Sequence, residues 1–540
     1  MSSSDSEAKM NTSGASSVSA QNTDPLQLTF CRQAVRRFIF SNNIYLTNLV
    51  PSEIVDIDMM HPVVGNPSSP CSYAIRTGKL EISSGLSSAA GSARYVGGIN
   101  PYATYEVDVQ DISIGSDESS GEVGINLATN DDQTHLQIVA VYDRAGSPVL
   151  MRLLRAGEVI REDVLSAGPA PEPPYKLQVQ FSGISLNTFY TKDGQTRFLG
   201  RIHPNDNFRD ILDLRRRSTA IGARYGVLTK LPAGSQVVLN GAASYLSAGV
   251  GQADIRLITR RDGAPVFDND RMWFSFSARG IGTGDCSQGI MSWNPSPSEF
   301  KFEGTIVFDH GDGLLRNDYA SHIFYDDQSG TWKAWSCDFG GSANQEGRGP
   351  SGLVVAESKR DPRRGFSVMS ASVLKDIAGQ HEDPCGFFDS DSGTWRLLTT
   401  ELSNGFRAQL FESESWKGPF TPIATPVNHN STGTLIQKFG QQRFVFAGSS
   451  EPTVFVYSYP DLRELGTLKI DLPPFTPGRN SRIWPNVFPL PVGYPARYMA
   501  LMMDRANFPD VQGDTWSYGA LYTYWAHTED ISHDEYEFDL

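Results

Sequence analysis

The feature that most constrains the fold of this chain is a block that occurs three times in its second half. In each block a carboxylate is followed by an apolar run, an Asp/Gly-rich turn and a segment that begins with Trp. The blocks are Arg261-Asp262-Gly263 with Trp273, Asn317-Asp318-Tyr319 with Trp332, and Glu382-Asp383-Pro384 with Trp395. A repeat of this size predicts the blades of a β-propeller. Because the first strand of each blade lines the central channel, the acids are expected to converge on one pocket.

The spacing of the repeat predicts the number of blades. Blade starts are expected at Asp262, Asp318, Glu382, Ser431 and Trp484. A four-stranded blade needs about 40–50 residues plus its loops. The span from 253 to 540 therefore predicts a propeller of five blades rather than seven.

The first half of the chain has a different pattern. Residues 70–250 alternate between apolar and polar positions in short runs such as Tyr105–Val109 and Leu136–Tyr142, which predicts a β-sandwich. The segment 25–69 is an N-terminal extension in which Leu26–Phe40 fits either a helix or a strand. Residues 1–24 are rich in Ser, Asn and Thr and are expected to be a disordered tail. The prediction is an all-β protein of two domains.

Charge and cysteine content restrict the classes of function. A net charge of −15 argues against a nucleic acid or an anionic membrane as partner and favours an uncharged substrate. The five cysteines are widely spaced and contain no CxxC pair, so they are expected to be free buried thiols rather than a zinc site or a disulfide framework. The N-terminus lacks the basic start and apolar run of a secretory signal. The chain as written is therefore expected to be cytoplasmic, and secreted if a leader is missing.

The propeller region resembles the glycoside hydrolases of family 43, which are related to families 32 and 68. The resemblance rests on Arg261-Asp262, Asp318 and Glu382-Asp383-Pro384 in that order, and on Ser413–Phe420, which reads SESWKGPF. It implies that Asp262 is the general base or nucleophile, Asp318 tunes the acid, and Glu382 is the general acid. This chain has Gly263 where the family often has Pro. A fructan-enzyme interpretation makes Asp383 the third carboxylate instead.

The chemistry that such acids perform can be stated without the family name. Cleavage of a glycosidic bond needs one protonated carboxyl group beside the leaving oxygen and one ionised carboxylate opposite it. A third acid nearby raises the pKa of the first by repulsion between like charges. An Asp before a strand is also a common turn former. The absence of an acid at the predicted starts of blades four and five favours function over a structural repeat.

Further polar and aromatic residues are expected to bind substrate around the same rim. Each lies beside a proposed acid or at a predicted blade start: Asp383, His322, His381, Arg261, Arg316, His429, Arg482 and Trp484. Trp484 is expected to stack on a sugar ring. No cofactor or catalytic metal is expected, although the resemblance to related propellers leaves room for a structural Ca²⁺ in the channel.

The sequence predicts a glycoside hydrolase or transglycosidase that acts on a neutral oligo- or polysaccharide of plant or microbial type. Two alternatives remain open. One is a propeller lyase that acts on a uronic-acid glycan, with His322 or His381 and Tyr319 abstracting a proton. The other is a propeller that binds a glycan without catalysis. The sandwich resembles the laminin-G and concanavalin-like domains through Gly78–Gly85 and Leu177–Gly194, and it either binds glycan or serves as a packing partner.

Overall fold

The structure is a computed structural model. It describes residues 23–49, 71–115, 120–143, 148–166, 170–183, 185–202, 211–282, 284–340, 349–403, 405–475, 483–494, 496–511 and 519–527. Within these residues nearly all regular structure is strand. No helix in these ranges is long and apolar enough to cross a membrane.

The described chain begins with a short 3-10 turn, Pro25–Gln27, which is capped by the Asp24 carboxylate accepting a hydrogen bond from Leu26 N at 2.9 Å. The segment that fits either helix or strand by sequence then forms a strand, β1 (Thr29–Arg36). A two-residue strand, β2 (Ile44–Tyr45), and a second 3-10 turn, Leu46–Asn48, follow it.

Thirteen strands and one short helix make up the next region. They are β3 (Ser72–Arg76), β4 (Lys79–Ser83), β5 (Ala90–Gly98), β6 (Thr104–Ser113), β7 (Gly121–Ala128), β8 (Thr134–Tyr142), β9 (Val149–Arg155), β10 (Glu158–Ser166), β11 (Tyr175–Ser182), β12 (Ser185–Lys192), β13 (Gln195–Ile202), α1 (Arg217–Ala220), β14 (Arg224–Leu231) and β15 (Gln236–Leu246). One sheet has the order β10-β9-β8-β7-β14-β5, and the other has the order β13-β12-β11-β6-β15-β4-β3, with β2 also paired to β15.

The two sheets form a sandwich because the inward residues of each strand alternate with outward ones. Val123, Ile125 and Leu127 of β7 lie in the same buried cluster as Val107 of β6 and Val179 of β11. This alternation is the pattern from which the sandwich was predicted.

The remaining strands lie in the second half of the chain, from residue 251 onward. They are β16 (Gly251–Leu257), β17 (Thr259–Arg260), β18 (Phe267–Asp268), β19 (Arg271–Arg279), β20 (Cys286–Asn294), β21 (Glu299–Asp309), β22 (Leu315–Arg316), β23 (Tyr319–Asp326), β24 (Thr331–Cys337), β25 (Leu353–Ser358), β26 (Gly365–Val373), β27 (His381–Asp389), β28 (Thr394–Glu401), β29 (Arg407–Ser413), β30 (Thr421–Pro422), β31 (Thr432–Phe439), β32 (Gln442–Gly448), β33 (Val454–Ser458), β34 (Glu464–Thr467), β35 (Lys469–Ile470), β36 (Val487–Pro489), β37 (Tyr498–Met503) and β38 (Leu521–His527).

These strands form the five blades that the repeat predicts. Blade one contains β16, β19, β20 and β21; blade two contains β23 to β26; blade three contains β27 to β30; and blade four contains β31 to β34. Blade five contains β36, β37 and β38. The inner strands β16, β23, β27, β31 and β36 lie side by side around a central channel. The predicted all-β fold class with a five-bladed propeller is confirmed.

The N-terminal strand completes the last blade. β1 pairs antiparallel with β38, with Thr29 opposite His527 and Arg36 opposite Leu521. Phe30 of β1 is fully buried in one apolar cluster with Tyr524 of this blade and Leu435 of blade four. Blade five therefore gains its fourth strand from the segment that precedes the sandwich. Along the sequence, the strands of the sandwich lie between β1 and the other strands of this blade.

Candidate active site

The inner strands of the first four blades share an irregularity near their beginning. In each, the register with the second strand shifts, and one residue at the shift has a left-handed backbone. These residues are Asp254, Ala320, Asp383 and Gly433, with φ of 52°, 58°, 57° and 58°. A β-bulge re-aims a side chain, and left-handed backbone is strained outside Gly. Two of the four equivalent positions, Asp254 and Asp383, thus carry a carboxylate. Their strained backbone conformation is maintained by the surrounding fold.

The Asp383 carboxylate is held from blade four. Its Oδ2 accepts hydrogen bonds from Gly433 N at 2.8 Å and Thr432 Oγ1 at 3.1 Å. The side chain is buried, which raises the pKa of Asp383, and the nearby Asp254 carboxylate raises it further. A raised pKa favours the protonated acid.

Position 433 requires glycine for two reasons. Its backbone is left-handed, and an added Cβ would lie 2.7 Å from Cδ2 of Trp484. Since glycine has no side chain, the backbone N–H of Gly433 can approach the Asp383 carboxylate directly. The Trp484 indole itself is 2% exposed and donates from Nε1 to the carbonyl of Ile255. Trp484 therefore forms a wall of the site rather than an open stacking platform.

The Asp254 carboxylate has a cationic partner. Its Oδ2 accepts a hydrogen bond from Arg279 Nη2 at 2.6 Å, and both side chains are at least nine-tenths buried. Burial opposes the charge on Arg279, but Asp254 more than offsets it and the pKa of Arg279 is raised. The pairing places a permanently charged guanidinium against the Asp254 carboxylate.

Each of the two carboxylates keeps one oxygen without a protein partner among the described residues. The hydrogen bonds to Asp254 and Asp383 from other side chains and from Gly433 all go to Oδ2. In each carboxylate, Oδ2 thus makes the contacts within the protein. The other oxygen, Oδ1, is left for a ligand.

An aromatic ring and two thiols surround this pair. Arg279 Nη1 lies 3.6 Å from Cys286 Sγ, and Asp383 N donates to Cys337 Sγ at 3.2 Å. The Tyr319 ring lies 5.9 Å from the guanidinium carbon of Arg279. Burial is the main cause that raises the pKa of the Tyr319 phenol and raises that of the Cys286 thiol to about 12. The Tyr319 phenol and the Cys286 thiol are therefore neutral at ordinary pH.

Asp318, the residue expected to tune the acid, is fully buried at the start of β23. Its Oδ1 accepts a hydrogen bond from Gly340 N at 2.9 Å, and its Oδ2 lies 3.4 Å from His310 Nε2. The side chain that the structure places beside Asp318 is thus a histidine that directly follows β21. Sequence reasoning had not singled out His310.

Glu382 and Asp383 are neighbours on β27, and the structure treats them differently. Glu382 is half-buried and opposes Thr400 of β28, just before the register shift. Asp383 is buried at the shift itself. Of the two, Asp383 shares the position of Asp254, and this equivalence favours Asp383 as the channel carboxylate of blade three.

Asp262 lies away from the other acids. It is exposed in the turn that follows the inner strand of blade one, where Oδ1 accepts a hydrogen bond from Ala264 N at 3.0 Å. The adjacent Arg261 carbonyl accepts from Phe388 N at 2.7 Å, near the far end of β27. Phe388 is five residues beyond Asp383, or roughly 16 Å along a strand. The structure therefore places Asp262 near the opposite end of the channel from Asp383 and does not bring it to Glu382.

The interval to Trp explains why sequence reasoning selected Asp262. After β16, the chain of blade one makes an excursion in which β17 pairs in parallel with β23 of blade two. This insertion contains Asp262, whose distance in sequence from Trp273 is similar to the acid-to-Trp interval of the other two blocks. The true counterpart, Asp254, lies 19 residues before Trp273. Its sequence signal is an Asp that directly precedes an apolar residue, as Asp383 precedes Pro384.

The two candidate histidines hold the fold together. His322 Nδ1 accepts from Gly386 N at 3.0 Å, so the 3.1 Å contact of Nε2 with Thr259 Oγ1 makes Nε2 the protonated nitrogen. Burial lowers the pKa of His322 to about 3, with a smaller effect from Arg256. His381 Nε2 contacts the Ala378 carbonyl at 2.8 Å and Nδ1 contacts Thr399 Oγ1 at 3.0 Å. Neither ring has a nitrogen left for a substrate proton.

The other predicted substrate contacts are also engaged within the protein. Arg261 stacks on Phe388 with its guanidinium carbon 3.6 Å from the ring centroid. Arg316 forms a two-pronged pair with Asp312 at 2.6 and 2.8 Å. His429 stacks on Phe455 at 3.9 Å. Arg482 lies outside the described residues.

The described residues contain no group of three or more His, Cys, Asp or Glu side chains arranged to hold a metal ion. The charged or titratable groups considered at the channel are the Asp254–Arg279 pair, the Asp383 carboxyl group and the Arg256 guanidinium. The last lies 5.1 Å above the Trp484 ring.

Comparison with known proteins shows similarity to solved glycoside hydrolase structures. A family 117 glycoside hydrolase from the marine bacterium Zobellia galactanivorans is 11% identical and has a TM-score of 0.37, covering 53% of this chain and 88% of its own. A thermostable family-43 glycoside hydrolase is 13% identical, with a TM-score of 0.34 and coverages of 52% and 91%. The catalytic domain of the Coprinopsis cinerea GH62 α-L-arabinofuranosidase is 10% identical, with a TM-score of 0.35 and coverages of 52% and 92%. No family model and no curated protein matches the sequence.

Proposed function

We propose that this protein is a glycoside hydrolase or transglycosidase whose reacting groups are Asp254 and Asp383. The observation that carries the proposal is the equivalence of the two residues. Each occupies the left-handed bulge of an inner strand, is buried, and uses only Oδ2 for contacts within the described part of the protein. Glycoside cleavage requires two carboxyl groups in different ionisation states.

Asp254 takes the role of the ionised group. Its Oδ2 forms the salt bridge to Arg279, and its Oδ1 is available to attack the sugar or to activate water. In the first case Asp254 is the nucleophile, and in the second it is the general base.

Asp383 takes the role of the general acid. Burial and the Asp254 charge both favour its protonated form. Since Oδ2 already accepts two hydrogen bonds, the proton belongs on Oδ1, where it can be donated to the leaving oxygen. This assignment moves the acid from Glu382 to its neighbour.

The hydrogen bonds of the two histidines weigh against the lyase alternative. Proton abstraction beside a carboxylate needs a base with an available nitrogen, and both nitrogens of His322 and His381 contact protein atoms. A Tyr319 base is opposed by the raised pKa of its buried phenol.

The test is a screen of neutral oligosaccharides and aryl glycosides that follows reducing ends and ultraviolet absorbance together. Hydrolysis without an absorbing product supports the proposal, whereas an unsaturated product supports the lyase. If no substrate is turned over but a glycan binds equally well to wild type and Asp383→Asn, the propeller is a binding module. Asp262→Asn is the matched control, because that acid lies in an exposed turn.

A further inference from the structure

Arg256 is a buried cation in the propeller channel. It belongs to β16, two residues after Asp254, and is 1% exposed. Its Nη2 reaches the Asp383 carbonyl at 3.5 Å, and its Nε and Nη1 are buried without any hydrogen-bond partner. One long contact to a carbonyl leaves most of the guanidinium unsatisfied.

Three other buried arginines of the described chain have carboxylate partners. Arg215 pairs with Asp213 at 3.0 Å, Arg279 with Asp254 at 2.6 Å, and Arg363 with Asp268 at 2.8 Å. Within the described residues, no carboxylate oxygen lies within 4.0 Å of Arg256. A charge removed from water without compensation costs several kcal/mol, so a compensating anion is expected near this guanidinium.

Among the described residues, Asp254 and Asp383 carry the carboxylates around Arg256, but neither forms an ion pair with its guanidinium. The groups in contact with Arg256 do not supply the charge either. The Trp484 ring contributes only its π-face at 5.1 Å. His322 is neutral, because its pKa is lowered to about 3 first by burial and then by Arg256 itself. Asn486, two residues after Trp484 in the chain, is fully buried with both amide atoms lacking partners. Unsatisfied donors thus occur at two places in the inner part of the propeller.

We propose that a small inorganic anion, of the halide type and chloride under ordinary conditions, binds in the channel beside the Arg256 guanidinium. A monoatomic anion suits a site that is closed to solvent. It accepts hydrogen bonds from one edge of the guanidinium, either Nε with Nη2 or Nη1 with Nη2, since Nη2 makes only the 3.5 Å contact to the Asp383 carbonyl. A divalent cation at the same point would be repelled by the guanidinium. The ligand class differs from the channel Ca²⁺ that the sequence resemblance suggested.

The anion has a consequence for Asp383, and this part rests on the proposed function. The charged and titratable groups facing Asp383 are Asp254 and Arg256 of β16, the Cys337 thiol of β24, and Cys385 on its own strand. Of these, Arg256 favours the ionised carboxylate. An anion beside Arg256 offsets that influence and helps Asp383 to retain its proton.

The direct test is a crystal of the wild-type protein grown in sodium bromide and measured at the bromine absorption edge. An anomalous peak within hydrogen-bond distance of Arg256 Nε or Nη1 is expected. An ordered water only, or an empty channel, overturns the proposal. Replacement of Arg256 is not needed for this measurement, so a folding defect cannot obscure it.

A solution test compares thermal unfolding in sodium chloride and sodium gluconate at equal ionic strength. Binding to the folded state alone raises Tm, so wild type is expected to melt about 1–2 °C higher in chloride. Arg256→Gln should remove this difference. Arg215→Gln is the control, because it removes a buried arginine that already has Asp213. Equal Tm values of wild type in the two salts overturn the proposal.

The kinetic test separates the two proposals. If Asp383 is the acid, replacing chloride with gluconate should shift the alkaline limb of the pH profile to lower pH in wild type and leave it unchanged in Arg256→Gln. A bromide peak with no shift retains the anion site and removes its link to catalysis. A shift in both proteins contradicts the role of Arg256.

Discussion

Asp254 and Asp383 occupy the same position on the inner strands of two blades, and each has a left-handed backbone at a shift in strand register. The same position is Ala320 in blade two and Gly433 in blade four. The propeller repeat therefore builds the bulge in every one of these blades, whereas the carboxylate occurs in only two. The bulge is thus a structural feature of the fold, and the carboxylates are specific to blades one and three.

Asp383→Asn is expected to lower turnover of substrates with poor leaving groups by about 10²–10⁴-fold. The fold should persist, because the Asn oxygen can accept from Gly433 N and Thr432 Oγ1 while the amide nitrogen stands where the acid proton was. Activated aryl glycosides, which need little protonation, should be spared. Steady-state kinetics on a series of aryl leaving groups measures the effect.

The matched control for that prediction is Glu382→Gln, on the half-buried neighbour. It should change turnover much less and show no dependence on the leaving group. If Glu382→Gln is the more damaging of the two changes, the acid was assigned one residue too late.

Asp254→Ala is expected to abolish turnover of every substrate, including activated aryl glycosides, because the ionised group acts whichever leaving group is present. It also leaves Arg279 buried without its carboxylate, which should lower the unfolding free energy by about 3–5 kcal/mol. Azide or formate should restore part of the activity by supplying an anion at the vacated position. Rescue of Asp262→Ala instead of Asp254→Ala would return the role to Asp262.

The raised pKa of Asp383 predicts how stability depends on pH. The folded state holds this proton more tightly than the unfolded chain, whose Asp pKa is about 3.9. The stabilising contribution is therefore present below that value and is lost as pH rises through the folded pKa. Wild type should lose stability relative to Asp383→Asn over that rise, as measured by urea unfolding at a series of pH values. A relative gain would mean that the pKa is lowered.

Much of the fold follows from the sequence because its signals are local. Alternation in Leu136–Tyr142 is enough to predict a strand with one buried face, since side chains alternate along any strand. Trp273, Trp332 and Trp395 near the starts of second strands mark the blades because each is buried at the same place in its blade. The role of Thr29–Arg36 could not be predicted in this way, since its partner β38 is almost five hundred residues away.

The candidate site depends on contacts that sequence spacing does not encode. Asp254 pairs with Arg279 across two strands, and Asp383 is held by residues of the next blade. The insertion that contains β17 shifted the apparent acid of blade one from Asp254 to Asp262. Nothing in the local pattern distinguishes an insertion from a strand of the repeat, so only the pairing of strands reveals it.

His322 is expected to be a structural residue. Replacing it with Ala leaves the N–H of Gly386 and the hydroxyl of Thr259 without their partner, at a cost of about 1–3 kcal/mol. Denaturant unfolding should show this loss, whereas His429→Ala, at a partly exposed surface site, should change stability by about 0.5 kcal/mol or less. A stable His322→Ala protein that has lost activity would support the lyase alternative.

The strand that closes blade five should be essential for stability. Phe30 is fully buried between β38 and the core of the propeller, so Phe30→Ala should lower the unfolding free energy by about 3–5 kcal/mol. Arg36→Ala, an exposed position on the same strand, is the control and should have little effect. Because Trp525 pairs with Cys31 across this junction, tryptophan fluorescence during urea unfolding reports on it. Equal stabilities of the two variants would show that β1 does not pack in the folded blade.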